Sequence, residues 1–576
     1  MLKLFRLLSP YRGSIVLVLV LALAQSISSL LLPRLTADIV DHGIVRVDQR
    51  AIFQTGGLML LMSIVATLCA IAGSFYSSKV ATGFGRALRG AIFARASHLS
   101  IHQFDRFGSA SLMTRTTNDT TQVQQMLIMG LMVVIVAPMM AIGGVILALS
   151  QDAQLAWVLI AVMPVMALVF TVILRRSVPL STAMQVKIDR LNLVLGEGLA
   201  GVRVIRAFDR GDAQRQRFDD ANLDLMNTAI AVNRLTAILM PALIVMLNLT
   251  SVAILWVGSH RIEAGVMQVG AMIASLQYAM QILFSVFMVT AMFVMLPRAS
   301  ASAMRINEVL ELDPEIVDQS ATARPPSTTR GHVEFENVTF QYPGAEEPAL
   351  AGVSFTARPG EVTAIVGGTG SGKSTLAGLI PRFYDVNAGR VLVDGVDVRE
   401  IAQADLRARI GFVPQKATLF TGTVAANIRY GRDQATDEEV RHAAAVAQAL
   451  DFIEAMPEKF ASPIAQGGIN LSGGQKQRLA IARAVVRKPD IYVFDDSFSA
   501  LDFATDARLR AALRSEIANA TVFVVAQRIS TVINADRIIV LDNSRVVGIG
   551  THTKLLETSP VYREIVSSQV SLDEVA

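Results

Sequence analysis

Cysteine is almost absent from this sequence of 576 residues, and charged side chains are scarce. The one cysteine, Cys69, excludes an internal disulfide framework and a metal site built from several thiolates. Charged residues make up 17% of the chain, against roughly 25% in a typical soluble protein. The mean hydropathy is +0.46. This composition argues against a soluble enzyme, a disordered tail and a fibrous repeat.

Long apolar runs without a charged side chain occupy the first 320 residues. Six of them are 18 to 26 residues long, at positions 15–32, 56–76, 131–149, 155–174, 238–258 and 271–296. About 20 residues are needed to cross a hydrocarbon core roughly 30 Å thick as a helix. One such run could be a buried core helix. Six together predict a membrane domain of six helices, because backbone polar groups in lipid must bond within the span.

Basic residues indicate the side of the membrane on which each connection lies. Residues 1–320 contain 25 Lys/Arg against 19 Asp/Glu, whereas residues 321–576 contain 27 against 29. The connections 77–130 and 175–237 carry six and ten Lys/Arg, and the alternating connections carry only four. The positive-inside rule therefore predicts a multi-pass protein of the cytoplasmic membrane with both termini in the cytoplasm. The basicity is a topology signal, and no nucleic-acid partner is expected.

A glycine-rich loop follows a short apolar strand pattern at residues 362–366 and precedes a helical pattern. Glycines in this setting let backbone N–H groups converge on phosphate oxygens. Lys373 is expected to reach the β and γ phosphates of ATP, and Ser374 to bind Mg²⁺. The predicted phosphate-binding residues are Gly367, Gly368, Thr369, Gly370, Ser371, Gly372, Lys373, Ser374 and Thr375.

A second apolar strand pattern, residues 491–494, ends in Asp495 and Asp496. A carboxylate delivered by a strand beside a phosphate loop can bind Mg²⁺, and Asp495 is assigned this role. Between the two strands, a serine and two glycines open another helix, which makes a second anion-binding terminus. Its residues are Leu471, Ser472, Gly473, Gly474 and Gln475. Since one nucleotide needs one phosphate clamp, this segment is expected to contact a nucleotide held by a partner.

These patterns divide the chain into domains. We predict a transmembrane domain over residues 1–320, a Pro/Ser/Thr-rich linker over 321–330, a nucleotide-binding domain over 331–568 and a tail over 569–576. The predicted fold class is multi-domain, with an all-α six-helix transmembrane domain fused to an α/β domain that carries the phosphate loop. The membrane helices are expected to continue into the cytosol, because residues 212–240 contain no Gly or Pro.

Over residues 1–568 the chain resembles a half-transporter of the ATP-binding cassette (ABC) superfamily with the exporter-type fold. The phosphate loop, the strand-end carboxylates and the segment 471–475 carry the resemblance, together with cytoplasmic-loop patterns at 104–108, 115–119 and 197–208. The amino-acid sequence as a whole is similar to that of actinobacterial half-transporters for drugs or lipids that work as heterodimers. The resemblance implies that Tyr342 stacks on adenine, that Gln415 senses Mg²⁺ and the membrane domain, and that Asp502 belongs to the D-loop.

Two positions depart from the family's pattern. The family usually has Glu where Asp496 stands and a switch histidine where Gln527 stands. The Asp496 carboxylate is one methylene shorter, and a misplacement of about 1 Å can cost about a hundredfold in rate. Gln527 can donate a hydrogen bond but cannot carry a charge. Harmless drift would explain either change, yet the pair favours a site that holds ATP and hydrolyses it slowly. Lys373 and Gln415 complete the predicted catalytic set, and Ser374, Gln415 and Asp495 the predicted metal ligands.

In this family each nucleotide lies between one chain's phosphate loop and the other chain's signature segment, which in this chain is residues 471–475. The resemblance therefore implies a second half-transporter, a different chain that supplies Glu and His. ATP-driven alternating access is expected to export apolar or amphipathic compounds across the bilayer. An importer of lipid or siderophore-like cargo and a homodimeric exporter stay open as alternatives. An ATP-gated channel is disfavoured by uncharged spans, and a soluble ATPase by the six apolar runs.

Overall fold

The computed structural model describes residues 4–318 and 330–569, apart from the side chains of residues 174, 293 and 294. They form two compact units. The first comprises the described residues up to His98 with Phe107–Asp313, and the second comprises Leu99–Arg106 with the described residues from Pro314 onward. Of the predicted linker 321–330 only Arg330 lies within the described residues, and of the predicted tail 569–576 only Gln569.

The N-terminal part of the chain is helical. Its α-helices are α1 (Arg12–Asp38), α2 (Gln49–His98), α3 (Ile101–Phe107), α4 (Ser109–Thr114), α5 (Thr120–Gln151), α6 (Ala153–Ala200), α7 (Val202–Ala207), α8 (Gly211–Ala237), α9 (Leu239–Glu263) and α10 (Val269–Leu310). A 3-10 segment, Leu4–Tyr11, precedes α1, and π-helical turns follow α1 at Ile39–Ile44 and precede α5 at Arg115–Asp119.

Within residues 4–318 and 330–569, six continuous helical stretches are long and apolar enough to cross a membrane. They are Leu4–Ile44, Gln49–His98, Ser109–Gln151, Ala153–Ala200, Gly211–Glu263 and Val269–Leu310. The prediction of six spans is thereby confirmed. The 50 residues of α2 extend about 75 Å at 1.5 Å per residue, more than twice the hydrocarbon thickness. The long helices therefore continue well beyond the bilayer.

Helix α1 contains Pro33, which has no backbone N–H and so leaves the carbonyl of Ser29 without its intrahelical donor. Two side chains of α10 bond to carbonyls at this point. Nε2 of Gln281 donates to Ser29 O at 3.1 Å, and the fully buried Tyr278 donates its hydroxyl to Leu30 O at 3.1 Å. Hydrogen bonds from α10 thus stabilise the turn of α1 that Pro33 interrupts.

Buried carboxylates fix other helix ends in the first unit. Asp152 caps α6 by accepting from the backbone N–H groups of Gln154 at 2.9 Å and Leu155 at 3.1 Å, and it pairs with Nη2 of Arg261 at 2.7 Å. Asp119 accepts from Oγ of Ser302 at 2.9 Å, which joins the π-helical turn to α10. These bonds satisfy polar groups that burial would otherwise leave unpaired.

The second unit is an α/β domain, and it also contains the start of α3. Oγ of Ser100 donates to Oε2 of Glu315 at 2.7 Å within this unit. Its strands are β1 (Val333–Phe340), β2 (Leu350–Ala357), β3 (Val362–Gly367), β4 (Ala388–Val393), β5 (Val396–Asp397), β6 (Ile410–Val413), β7 (Gly422–Thr423), β8 (Pro463–Ile464), β9 (Ile491–Asp495), β10 (Thr521–Val525), β11 (Arg537–Asp542) and β12 (Arg545–Gly550).

Ten α-helices accompany these strands in the described part of the second unit, together with the 3-10 turns Lys459–Ala461 and Gln466–Gly468. The α-helices are α11 (Lys373–Leu379), α12 (Gln403–Ala408), α13 (Val424–Arg429), α14 (Asp437–Val446), α15 (Leu450–Glu454), α16 (Gly473–Arg487), α17 (Phe503–Glu516), α18 (Ile529–Val532), α19 (His552–Thr558) and α20 (Pro560–Ser567). With the six membrane helices, they establish the predicted fold class.

Strand order explains where the polar residues meet. A six-stranded sheet has the order β12-β11-β3-β10-β9-β6, in which β3, β10, β9, β6 and β11 are parallel. Its central strands β9 and β10 are buried along their whole length, as their apolar sequences require. The carboxyl ends of parallel strands share one edge of a sheet. The residues that follow β3, β10 and β9 therefore lie side by side.

Candidate nucleotide site

The loop between β3 and α11 has a backbone that requires glycine. Gly370 and Gly372 have φ values of +84° and +96°, in the left-handed region that side chains disfavour. A Cβ on Gly372 would lie 2.3 Å from the carbonyl oxygen of Ala349. The loop can therefore keep its N–H groups close together only with glycine at these positions.

Lys373 and Ser374 open α11 at the edge of the sheet. Nζ of Lys373 donates to Gly367 O at 2.9 Å and to Gly368 O at 2.6 Å. Oγ of Ser374 donates to Oδ1 of Asp495 at 2.9 Å. Burial lowers the pKa of Lys373, and the charges of Asp496 and Asp495 oppose this effect. Burial raises the pKa of Asp495, against the Ser374 hydrogen bond.

Asp496 is held by two glutamine side chains. Its Oδ2 accepts from Nε2 of Gln415 at 3.1 Å and from Nε2 of Gln527 at 3.0 Å. The residue is 8% exposed, and its φ of +47° lies in the left-handed region, which aspartate tolerates better than most residues. Burial raises the pKa of Asp496, whereas the Gln415 hydrogen bond lowers it. Three of the four predicted catalytic residues thus meet at one oxygen atom.

Tyr342 is fixed by two aromatic neighbours. Its ring centroid lies 4.9 Å from that of Phe340 and 5.5 Å from that of Tyr384, both edge to face. Its hydroxyl is 2.9 Å from Oγ1 of Thr375. The sequence offered no spacing that would have identified Tyr384 as a neighbour of Tyr342. Tyr342 is half-buried and lines a cavity, where an aromatic ring can stack on a planar ligand.

These residues surround a cavity of about 450 Å³, a volume typical of ligand sites. Ten of the residues named from the sequence line it: Tyr342, Thr369, Gly370, Gly372, Lys373, Ser374, Thr375, Gln415, Asp496 and Gln527. Ala349 and Val525, which the sequence did not indicate, complete the lining. Asp495 adjoins it through its bond to Ser374.

The signature segment is a separate feature of the same unit and does not line this cavity in the described structure. Ser472 and Gln475 form a reciprocal capping box at the start of α16. Oγ of Ser472 accepts from Gln475 N at 3.3 Å, and Ser472 N donates to Oε1 of Gln475 at 2.9 Å. Leu471 and Gly474 are partly exposed. Gly473 is exposed, and a Cβ at this residue would have no atom within 4 Å.

Asp502 is the N-cap residue immediately before α17, and it also lies outside the cavity lining of the described residues. It accepts from the backbone N–H of Thr505 at 2.9 Å, and this bond lowers the pKa of Asp502. The D-loop aspartate therefore acts as a helix cap within this chain.

The donor set beside the phosphate loop suits Mg²⁺. No group of three or more His, Cys, Asp or Glu side chains that could hold a metal occurs among residues 4–318 and 330–569. Mg²⁺ characteristically takes one or two protein oxygens and fills its other positions with water and phosphate oxygens. The hydroxyl of Ser374 and the carboxylate of Asp495, 2.9 Å apart, fit that requirement.

Six membrane-spanning helices, a phosphate loop beside strand-end carboxylates, and a capped glycine helix define a membrane transporter driven by an ATP-binding cassette. The family of ABC transporter transmembrane regions matches residues 15–286, and the ABC transporter family matches residues 350–499. The chain belongs to the ABC transporters. It is a multi-pass membrane protein whose ATP-binding domain hydrolyses ATP in transport, and its architecture is of the exporter type.

Similar proteins cover nearly the whole chain. An uncharacterized ABC transporter ATP-binding protein of Mycobacterium tuberculosis (strain CDC 1551 / Oshkosh) is 45% identical over 563 residues, 97% of this chain and 96% of the relative. An ATP-dependent lipid A-core flippase of Chromobacterium violaceum is 32% identical over 98% of this chain and 97% of its own length. A fatty acid ABC transporter ATP-binding/permease protein of Mycobacterium bovis is 32% identical over 90% of this chain and 82% of its own.

The fold is also similar to that of a solved transporter. The structure of a bacterial Atm1-family ABC exporter with ATP bound superposes with a TM-score of 0.82 at 26% identity. The match covers 97% of this chain and 98% of that one. The exporter-type fold predicted from the sequence is confirmed.

Proposed function

We propose that this chain is one half of a heterodimeric exporter that moves apolar or amphipathic molecules, lipids or drugs, across the cytoplasmic membrane. The similarity to a lipid A-core flippase and to a fatty acid transporter supports a lipid-like cargo. The termini and the nucleotide-binding domain lie in the cytoplasm, in agreement with the basic connections 77–130 and 175–237.

The observation that carries the heterodimer proposal is the pair of glutamine contacts on Asp496. A group that orients the attacking water needs a free carboxylate oxygen in near-attack geometry. Here Gln415 and Gln527 both donate to Oδ2 of Asp496 and fix the orientation of the carboxylate, so that water must be oriented by Oδ1 of a side chain one methylene shorter than glutamate. Gln527 donates a hydrogen bond without bringing a positive charge. The site is therefore built to hold ATP and to hydrolyse it slowly.

The other residues of the site keep their binding roles in this proposal. Tyr342 stacks on the adenine ring, and the glycine-rich loop and Lys373 hold the phosphates. Ser374, Asp495 and Gln415 would hold Mg²⁺, which would neutralise charge at the phosphates when bound. The half-buried Lys373 donates to the loop carbonyls of Gly367 and Gly368, and these hydrogen bonds hold its ammonium beside the expected position of the phosphates.

The proposal of a second subunit rests on nucleotide-binding motifs that do not line the nucleotide cavity of this chain. Leu471–Gln475 and Asp502 are intact in sequence and lie outside the cavity lining of the described residues. Large apolar side chains flank them at high exposure, with Ile469 80% and Phe503 69% exposed. An exposed apolar flank beside a polar anion-binding helix start favours a protein interface. A partner with Glu and His would then hold the fast site, completed by this chain's signature segment.

The membrane helices offer polar contacts for cargo. Oε1 of Gln25 on α1 and Oε1 of Gln281 on α10 are buried and have no hydrogen-bond partner within the described part of the chain. A buried acceptor in a membrane domain is costly unless a donor reaches it. The two amides favour a cargo whose apolar body ends in a hydrogen-bond-donating head, such as a hydroxyl or an amide. Alternating access driven by closure of the two cassettes would carry it outward.

Transport in inside-out vesicles tests this function. Vesicles containing this chain together with a second half-transporter are expected to take up a fluorescent lipid in an ATP-dependent manner. Uptake should be lost when this chain carries Lys373→Ala and the phosphate-loop lysine of the partner is also replaced by alanine. ATP-dependent loss of preloaded lipid would instead establish the importer. Uptake by this chain alone at the same rate would establish the homodimeric exporter.

A further inference from the structure

Another cavity, of about 560 Å³, lies under α17 in the second unit. We call it the α17 cavity. Its floor is apolar and is formed by strands β3, β9 and β10, by α17 and by the residue that follows this helix. The residues are Val362, Phe494, Val522, Val524, Leu513 and Ile517. The segment from Thr531 to Asp536 forms another wall. Among the described residues, none lines both this cavity and the nucleotide cavity.

Two arginines one helical turn apart supply positive charge to the α17 cavity. Nε of Arg510 is buried and has no hydrogen-bond partner among residues 4–318 and 330–569. Its Nη2 lies 2.9 Å from Oδ2 of Asp506. Arg514, at the next turn, lines the cavity with an exposed side chain. The acidic residue of the opposite wall, Asp536, already accepts from Val362 N at 2.8 Å. Among the lining side chains of the described structure, Nε of Arg510 is the buried polar atom without a partner, and it is a donor. The adjacent Oδ1 of Asp506 is also buried without a partner, but Asp506 does not line the cavity.

We propose that the α17 cavity binds a small amphipathic carboxylate, with its apolar body on the floor and its carboxylate toward Arg510 and Arg514. The volume is within the range of small-molecule sites, which are mostly apolar with a few placed polar groups. Guanidinium groups bind carboxylates through charge-assisted hydrogen bonds. A cationic ligand would meet two arginines, and a neutral one would leave Arg514 without a counter-charge. The site goes beyond the proposed transport function and does not depend on it.

Arg510 connects the α17 cavity to the nucleotide site. Its Nη1 donates to the backbone oxygens of Ser530 at 2.9 Å and Thr531 at 3.3 Å, shortly after Gln527. A ligand carboxylate that competes for this guanidinium shifts the segment that carries Gln527, and Gln527 contacts Asp496. Occupancy of the cavity therefore changes nucleotide affinity, and we expect a change of about fivefold, at the low end of common couplings between sites.

Thiol protection in the full-length chain, reconstituted in lipid nanodiscs, tests the site. Cys69→Ser removes the native thiol, and Ala511→Cys places a thiol on the cavity lining. Ser515→Cys is the matched control, because Ser515 is exposed on the same helix but is not a lining residue. Modification rates are measured with 4-phenylbutyrate, 4-phenylbutanol and 4-phenylbutylamine as water-soluble probes.

The carboxylate is expected to slow modification at position 511 but not at 515, and the alcohol and the amine to protect less. Arg514→Gln should weaken the carboxylate's apparent affinity about tenfold, the value of one charge-assisted hydrogen bond. Arg563→Gln, an exposed arginine of α20 outside the cavity, should not. No protection at 511, equal protection by all three probes, or protection at 515 would overturn the site. Unchanged affinity for a fluorescent ATP analogue at saturating phenylbutyrate would overturn the coupling.

Discussion

Nε2 of Gln527 lies 3.0 Å from Oδ2 of Asp496, and the same oxygen accepts from Gln415 at 3.1 Å. The two positions at which the chain departs from the ABC pattern are therefore in direct contact. A glutamate and a histidine there would bring a longer carboxylate and a side chain able to carry charge. In this chain the neutral side-chain amide of Gln527 instead donates a hydrogen bond to the carboxylate of Asp496.

Restoring both residues should raise ATP hydrolysis at this site. In a complex with a partner whose own catalytic glutamate is replaced by glutamine, we expect Asp496→Glu with Gln527→His to increase single-turnover hydrolysis about tenfold to a hundredfold, because the carboxylate regains its reach. Asp496→Asn is the control and should abolish the residual rate. A double variant no faster than the parent would show that the geometry of this pair does not limit hydrolysis.

The Tyr342 ring is expected to contribute to nucleotide affinity by stacking. Tyr342→Ala should weaken binding of a fluorescent ATP analogue about tenfold, the effect of losing one aromatic contact. Tyr342→Phe keeps the ring and its packing on Phe340 and Tyr384 but loses the hydroxyl 2.9 Å from Thr375. The Phe variant should therefore bind almost as well as the parent. Equal losses in the two variants would assign the effect to the hydroxyl.

Nucleotide affinity should fall at alkaline pH through deprotonation of Lys373. Burial lowers the pKa of this lysine from 10.5, so the free site loses its ammonium at a lower pH than an exposed lysine would. Affinity is therefore full below the lowered pKa and declines as the pH rises through it. Because the charge of Asp496 raises the pKa of Lys373, Asp496→Asn should move the midpoint to lower pH. Titrations of ATP affinity for both forms would check the sign, and a midpoint that moves upward would contradict it.

The signature segment should be needed for ATP hydrolysis at the partner's site and not for ATP binding at this chain's own site. Gly473→Asp places a carboxylate at the start of α16, where a Cβ meets no atom within 4 Å, so the fold is expected to persist. The new negative charge repels the partner's phosphates. We expect hydrolysis by the heterodimer to be lost while this chain still binds ATP, and Gly473→Ala to be mild. Loss of ATP binding at this chain's own cavity would contradict the arrangement.

Asp152 is expected to stabilise the membrane domain. Its side chain is 5% exposed, caps α6 and pairs with Arg261 at 2.7 Å. Asp152→Ala removes the cap and leaves the arginine unpaired, and it should lower the free energy of unfolding by about 3 kcal/mol. Asp152→Asn can still cap the helix and should lose less. Unfolding in mixed micelles measures both, and similar losses would show that the cap contributes little.

Local patterns in the sequence predict the six spans, the phosphate loop and the strand-end carboxylates. The parallel sheet then explains why residues after β3, β9 and β10 meet. Contacts over long sequence separations could not be predicted in this way. Gln415 and Gln527 reach Asp496 across 81 and 31 residues, and Gln281 reaches the carbonyl of Ser29 across 252. Each of these hydrogen bonds depends on how side chains of different elements pack together, and no spacing pattern in a single sequence predicts that packing.

ATP turnover by this chain, purified alone and together with a second half-transporter that has Glu and His at the corresponding positions, tests the central claim most directly. We expect the lone chain, reconstituted in nanodiscs, to bind ATP and turn it over slowly, and the complex to hydrolyse ATP rapidly at the partner's site. Rapid hydrolysis by this chain alone would contradict the account.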